Sequence, residues 1–292
     1  MPELPEVETI RRGLEPMLAG ARIERVALGR AGLRFPFPRD FAAALTGARI
    51  VSVDRRANYL LFRLSNGSTW LSHLGMTGSY RFAEASLDEP SRLFEADTSG
   101  KHDHLRLTIR HPAHGRLHLI YADARRFGFM DLFADDESPH LADLGPEPLG
   151  NGFDAPWMAA RFAGRKAPVK AGLLDQRAVA GLGNIYACEA LHRAHILPTR
   201  TCASLVAAGG VPGSELDALV AAVRAVMVEA IAAGGSPLRD YRNASGGSGY
   251  FQHRFAVYDR AGLPCPAPGC TGAIVRIVQA GRSSYYCPVC QH

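Results

Sequence analysis

Three groups of residues have the types and spacing to do chemistry. The first is the start of the chain, Met1-Pro2-Glu3-Leu4-Pro5-Glu6-Val7-Glu8. Removal of Met1 would leave Pro2 as a free secondary amine with the Glu3 carboxylate beside it. A free N-terminal amine has a reference pKa of about 7.7–8.0, so part of it is unprotonated at neutral pH. Such an amine can attack a sugar aldehyde carbon while a neighbouring carboxyl shuttles protons. The same acids would also complement the positive end of a first-helix dipole, with no chemistry involved. The stretch alone leaves both readings open.

The second group lies at the other end. Cys265 and Cys270 form one pair, Cys287 and Cys290 another, with sixteen residues between them. That spacing fits four thiolates around one tetrahedral zinc on two hairpin knuckles. A full set of protein ligands leaves no position for substrate, so the zinc is structural, a clip for a module too small to bury a core. In a cytosolic chain such a cluster means metal before disulfide. Cys188 and Cys202, isolated among apolar residues, read as inert buried thiols.

The third group is Gly181-Leu182-Gly183-Asn184, running into Ile185-Tyr186-Ala187. It reads as a helix start capped by Asn184, where free N–H groups and the helix dipole can seat a phosphate. An ordinary cap is the plainer reading.

The elements that must position these groups follow from patterning. At 292 residues, 47% hydrophobic and 21% charged, the chain has room for two or three modest globular domains. No apolar run approaches a membrane span, and the acidic start is unlike a secretory signal, which predicts a cytoplasmic protein. The net charge of +5 suits a polyanionic partner without demanding one. Only Lys101, Lys166 and Lys170 among the 33 basic residues are lysine. Arginine favours bidentate phosphate contacts, although a GC-rich genome yields the same bias.

Val7, Ile10, Leu14, Met17 and Leu18 predict a helix from Glu3 to about Ala19. Short alternating runs follow at 22–28, 49–53, 59–64, 69–73, 104–109, 116–121 and 128–132, the pattern of a sandwich or barrel. Residues 82–100 read as a long polar loop, and helical patterning dominates 156–233. The fold class is α+β and multidomain. A β-rich domain with flanking helices, sandwich or barrel, occupies 1–134, a linker 135–150, a helical domain 151–250 and a zinc hairpin 251–292.

Several segments together resemble bacterial formamidopyrimidine-DNA glycosylases. They are residues 2–8, His73-Leu74-Gly75-Met76-Thr77-Gly78, Lys101-His102-Asp103-His104 and Asp123-Ala124-Arg125-Arg126-Phe127-Gly128. Leu144–Leu149, Gly181–Ala187, Gly249-Tyr250-Phe251-Gln252 and the final cysteines with Gln291 complete the set, in order along the chain. The resemblance implies a helix–two-turn–helix domain between the sandwich and a zinc finger. It also implies a partner, double-stranded DNA containing oxidised bases or abasic sites. No membrane association is expected, and the protein should act as a monomer at the bacterial nucleoid.

Residue by residue, the resemblance implies that Pro2 attacks C1′ of the damaged nucleotide and that Glu3 is its acid/base partner. Met76, Arg125 and Phe127 match the wedge that fills the gap left by a flipped nucleotide. Apart from the resemblance, Met76 and Phe127 would be core residues by default. His102, Arg125 and Arg165 match DNA-holding positions, Lys170 and Asn184 match phosphate contacts, and Arg282 matches the finger-turn arginine linked to the second elimination. Residues 239–249 correspond to a loop over the extruded base.

Two departures stand out. Asn58 occupies a position where the family usually has a lysine, assigned as proton donor and phosphate contact. Asn carries no charge and does not titrate near neutrality, so weaker catalysis or an altered damage spectrum is expected. Arg55 or Arg56 is a candidate to keep the phosphate contact. The first cysteine knuckle is two residues longer than usual, which zinc tolerates. The wording of residues 2–8, with Leu4 at its third position, and the full base-covering loop make oxidised purines the expected substrates. The alternatives are oxidised pyrimidines, as in the related endonuclease VIII type, and a damaged-DNA-binding protein weakened in catalysis by Asn58.

Overall fold

A computed structural model of the chain describes residues 1–84, 100–134, 138–236 and 251–292. Two compact units are present. One comprises Met1–Ala142 and Gly234–Gly249, the other Asp143–Ala233 and Tyr250–His292.

The first unit starts with helix α1 (Leu4–Leu18), whose Leu4, Val7, Ile10, Leu14 and Leu18 are all buried. That spacing puts one continuous apolar stripe against the core. Among the described residues eight strands follow, broken early by the short helix α2 (Phe41–Leu45). They are β1 (Arg22–Leu28), β2 (Ile50–Arg56), β3 (Tyr59–Leu64), β4 (Ser68–His73), β5 (Ser79–Glu84), β6 (Asp103–His111), β7 (Gly115–Ala122) and β8 (Phe129–Ala134). They form two four-stranded antiparallel sheets, ordered β1-β6-β7-β5 and β2-β3-β4-β8. A short helix, α3 (Pro139–Ala142), comes after the last strand.

One buried cluster joins the two sheets. Leu105, Leu107 and Ile109 of β6 and Tyr121 of β7 meet Leu60 and Phe62 of β3 and Trp70 of β4, with Val7, Ile10 and Leu14 of α1 alongside. The expected sandwich with flanking helices is therefore present, and the residues that β6 and β3 send into this cluster alternate as the pleat requires. Strand β5 departs from the sequence reading, which began a loop at residue 82. Tyr80 and Phe82 do alternate with Arg81 and Ala83, but this is an edge strand running straight into the polar residues that follow.

Between β2 and β3, Ala57-Asn58 forms a two-residue hairpin turn, closed by the Arg56–Tyr59 pair. Arg55, just before it, is tied down. Its Nε lies 3.1 Å from the Glu8 carboxylate and one terminal nitrogen donates to the Ala57 carbonyl at 2.9 Å. Arg55 is thus unsuited to replace a missing phosphate contact.

The second unit contains the helices α4 (Ala155–Phe162), α5 (Val169–Leu173), α6 (Asn184–Arg193) and α7 (Ser214–Ala232). Asp154 caps α4 by accepting the Trp157 N–H at 2.7 Å. Helices α6 and α7 are clamped by a bidentate ion pair between Arg193 and Glu229, at 2.7 and 2.8 Å. The unit ends in the hairpin β9 (Val275–Gln279) and β10 (Arg282–Tyr286). Among the described residues no helix is long and apolar enough to cross a membrane.

The first unit contains one charge cluster with a clear pH signature. Burial pushes the Glu8 carboxyl up, but hydrogen bonds from Arg11, Arg12 and Arg55 outweigh it and hold the pKa down at about 2. A depressed pKa stabilises the fold above the unfolded value near 4.5, and that stabilisation is lost as pH falls toward about 2. Because solvent reaches part of the cluster, the contribution is reduced by screening to about 1–2 kcal/mol. Thermal melts of the parent between pH 5 and 2 should therefore fall more steeply than those of Glu8→Gln, which starts out less stable at pH 7. Parallel melting curves would show that the cluster contributes nothing.

Candidate functional site

In the first unit, Pro2 is buried at the entrance to α1, while Met1 is exposed. Glu3 is the N-cap and forms a capping box with Glu6, whose carboxylate accepts the Glu3 N–H at 2.9 Å. Glu6 also accepts the Ser236 N–H at 2.8 Å. The capping reading of these acids is therefore present in the structure, and it holds Pro2 and Glu3 in one geometry.

The positions matched to the wedge sit on two loops joined at their backbones. A Cβ on Gly75 would lie 2.3 Å from the Gly128 nitrogen and the Phe127 carbonyl carbon. Only glycine admits that approach, which places Met76 beside Phe127. Buried Asp123 organises the second loop. Its carboxylate accepts the Thr77 hydroxyl and, at 2.8 Å, the Gly128 N–H. Thr77 in turn accepts the Arg125 N–H at 3.0 Å. The carbonyl of exposed His102 accepts the Asp123 N–H at 3.0 Å, so His102 lies alongside. Phe127 is 44% exposed with the Arg125 guanidinium 4.7 Å over its ring. It is not a core residue, and Met76 is only partly buried. The motif containing Thr77 and Asp123 was visible in the sequence, but their bracing role was not.

Asn58, at its hairpin turn, has its side-chain amide 3.0 Å from His73 Nε2. The other ring nitrogen, Nδ1, accepts the Gly75 N–H at 3.2 Å. Burial, reinforced by the Arg34 charge, pushes the His73 pKa down to about 4, so the ring is neutral at physiological pH.

In the second unit, Lys170, Asp175, Gln279 and Arg282 line a cleft of about 230 Å³. Lys170 is only 1% exposed. Its Nζ donates to the Ser283 carbonyl at 2.9 Å and the Ser284 hydroxyl at 2.6 Å. Asn184 Nδ2 donates to the same carbonyl at 3.0 Å. Asn184 is the first residue of α6 and Gly183 is its cap, so the expected capping role moves back by one residue. Arg165 pairs with Asp175 at 3.1 Å, and Arg282 opens β10 with an exposed side chain. The segment read as a base-covering loop, 239–249, lies outside the described residues.

The Sγ atoms of Cys265, Cys270, Cys287 and Cys290 all lie within 4.8 Å of one another. The Cys265–Cys290 and Cys270–Cys287 separations are 3.7 and 3.6 Å. Tetrahedral zinc with Zn–S bonds of about 2.3 Å requires sulfurs roughly 3.8 Å apart, so the four thiolates fit one structural zinc. The longer first knuckle does not disturb this.

Three family models match the chain. Residues 1–130 match the formamidopyrimidine-DNA glycosylase N-terminal domain, residues 144–242 the formamidopyrimidine-DNA glycosylase H2TH domain, and residues 262–292 the zinc finger found in FPG and IleRS. A formamidopyrimidine-DNA glycosylase of Rhizobium leguminosarum is 50% identical over 301 residues, covering 100% of both chains. The crystal structure of the MutM (Fpg) protein from Thermus thermophilus superposes with a TM-score of 0.81 at 40% identity, covering 99% of this chain and 98% of that one. A Lactococcus lactis Fpg variant in complex with Fapy-dG-containing DNA superposes with a TM-score of 0.83 at 34% identity, covering 100% of both.

The metal centre can be checked directly. Elemental analysis of the purified protein should give one zinc per chain, and Cys287→Ser should lower it to near zero. Limited proteolysis of that variant should then cut first within residues 262–292, because the hairpin has little core without its metal. Full zinc content in Cys287→Ser would contradict the four-thiolate site.

Proposed function

The chain belongs to the formamidopyrimidine-DNA glycosylase family, enzymes of DNA base-excision repair, and on that premise we propose that it removes oxidised purines from duplex DNA and then cleaves the abasic strand. The substrates are 8-oxoguanine and formamidopyrimidines. The observation that carries this reading is the fixed pair at the chain start, Pro2 buried beside the N-cap Glu3, in a chain that matches the family along its length. The relative bound to Fapy-dG-containing DNA supports the purine class.

With Met1 removed, the Pro2 nitrogen attacks C1′. The C1′–base bond breaks and the base leaves with its electron pair. Glu3 protonates the ring oxygen as the sugar opens, leaving a cationic imine between Pro2 and C1′. That cation acidifies the C2′ proton, whose loss expels the 3′ phosphate, and a second elimination expels the 5′ phosphate. Water then hydrolyses the imine and frees the amine. One nucleophile thereby serves both glycosylase and lyase steps.

The other residues hold DNA in this scheme. Met76, Arg125 and Phe127 occupy the space left by the extruded nucleotide, and the exposure of Phe127 on a braced loop supports that role. His102, Arg165 and Asn184 face backbone phosphates. Lys170 acts by holding the finger hairpin, since its ammonium is committed to Ser283 and Ser284. Arg282 reaches the phosphates and assists the second elimination. The protein works as a monomer at the nucleoid.

Asn58 supports a second, narrower reading, in which chemistry is slower than in relatives with lysine there. Its amide is bonded to His73, and Arg55 is held by Glu8, which leaves Arg56 as the candidate for the phosphate contact but supplies no proton donor in place of lysine.

Borohydride should trap a covalent adduct between the protein and a duplex containing 8-oxoguanine, and Pro2→Gly should abolish it. Absence of an adduct from the parent would favour a DNA-binding role without chemistry. Preferential trapping on an oxidised-pyrimidine duplex would move the substrate class. For position 58, Asn58→Lys should raise the single-turnover excision rate about tenfold or more while leaving lesion affinity within about twofold, the scale of a positioned proton donor. An unchanged rate would remove Asn58 as the cause of slow chemistry.

A further inference from the structure

We propose that His192 is a hydrogen-bond donor to the zinc centre, its ring N–H directed at the Cys265 thiolate and slowing loss of the metal. The residue lies on α6, four positions after Cys188, so the two side chains share one helix face. Cys188 packs in the same buried cluster as Cys265, Cys287, Ile274 and Tyr285, which identifies the face turned to the metal module. His192 itself is buried, with Nε2 3.3 Å from Cys265 Sγ.

The direction of that contact follows from the metal. A thiolate bound to zinc has lost its proton and can only accept. The hydrogen between the two atoms therefore belongs to Nε2. Four thiolates also outweigh the charge of the ion, leaving a doubly negative centre in which Cys265 and Cys287 are buried. A buried anion is stable only when donors face it. Backbone N–H groups of the knuckles supply some of these, as Gly272 does for Cys270 at 3.4 Å. His192 supplies a side-chain donor from 73 residues earlier in the chain. Just past the helix, His195 Nδ1 lies 2.9 Å from the Cys290 carbonyl, so the end of α6 engages both knuckles. An N–H···S bond withdraws electron density from the sulfur. The thiolate is then less readily protonated, oxidised or taken up in exchange with a chelator.

The test uses the full zinc-loaded chain. It is mixed with excess chelator, and zinc release is followed with a chromogenic dye. His192→Phe fills the space without a donor, whereas His192→Gln keeps an N–H. Zinc should leave His192→Phe about tenfold faster than the parent, with His192→Gln in between or near the parent. In cobalt-substituted protein, the sulfur-to-cobalt charge-transfer band should shift in His192→Phe. Equal release from parent and His192→Phe overturns the proposal, and so does equally fast release from both variants, which would mean a packing role. Should His192→Phe fail to fold, the unmodified chain loaded with cadmium-113 decides the matter. Coupling between the metal and the His192 Nε2 proton is expected across the hydrogen bond, and its absence overturns the proposal. The outcome does not depend on which lesion the enzyme removes.

Discussion

The Glu6 carboxylate, wholly buried in the first turn of α1, accepts the Glu3 N–H and the Ser236 N–H. Removing a carboxylate from water costs several kcal/mol, and charge-assisted hydrogen bonds of about 1.5–3 kcal/mol each offset that cost. The positive end of the α1 dipole adds to them. The arrangement also needs Gly235, where a Cβ would come within 2.9 Å of the Glu6 carboxylate. Chain ends are ordinarily among the least ordered parts of a protein. Here the start is joined to a segment 230 residues later, which holds Pro2 and Glu3 in one orientation. The nucleophile proposed at this position would benefit from being held in that way.

In the second unit the corresponding constraint is the Ser283 carbonyl. Lys170 and Asn184, from two different helices, donate to that one oxygen. Four thiolates clip the base of the hairpin on which it lies. Glu189 of α6, buried, accepts the N–H groups of Ala256, Val257 and Tyr258 and fixes the approach to the finger. Arg282 is therefore presented from a rigid strand although the finger has little hydrophobic core of its own. Lys170 is better understood as part of this support than as an exposed cation, because a buried ammonium is tolerated only where its protons are taken up.

Much of this architecture was legible from local pattern. The run Tyr59–Leu64 marked a strand with those bounds, and Val7, Ile10 and Leu14 marked the buried face of α1. The cysteine spacing pointed to the zinc site because two short loops bring each pair together regardless of the surrounding fold. Local pattern misled where an element lay next to contrary signals. Strand β5 ran into a polar stretch, and Asn184 had the composition of a cap although Gly183 is the capping residue. Phe127 has a core residue's chemistry but an exposed position, because Asp123 and Thr77 brace its loop outward of the sheet.

Residues a few positions apart were enough to specify the periodic elements, the metal ligands and the family to which the motifs point. Which charged and polar groups stay available to act was settled by the folded chain. Arg55 is engaged by Glu8, Lys170 by the hairpin and Asn58 by His73, while His192 is brought to Cys265. These pairings join residues 15 to 114 positions apart. They form because hydrophobic burial fixes the topology first, and buried polar groups must then find partners among whatever that topology brings near.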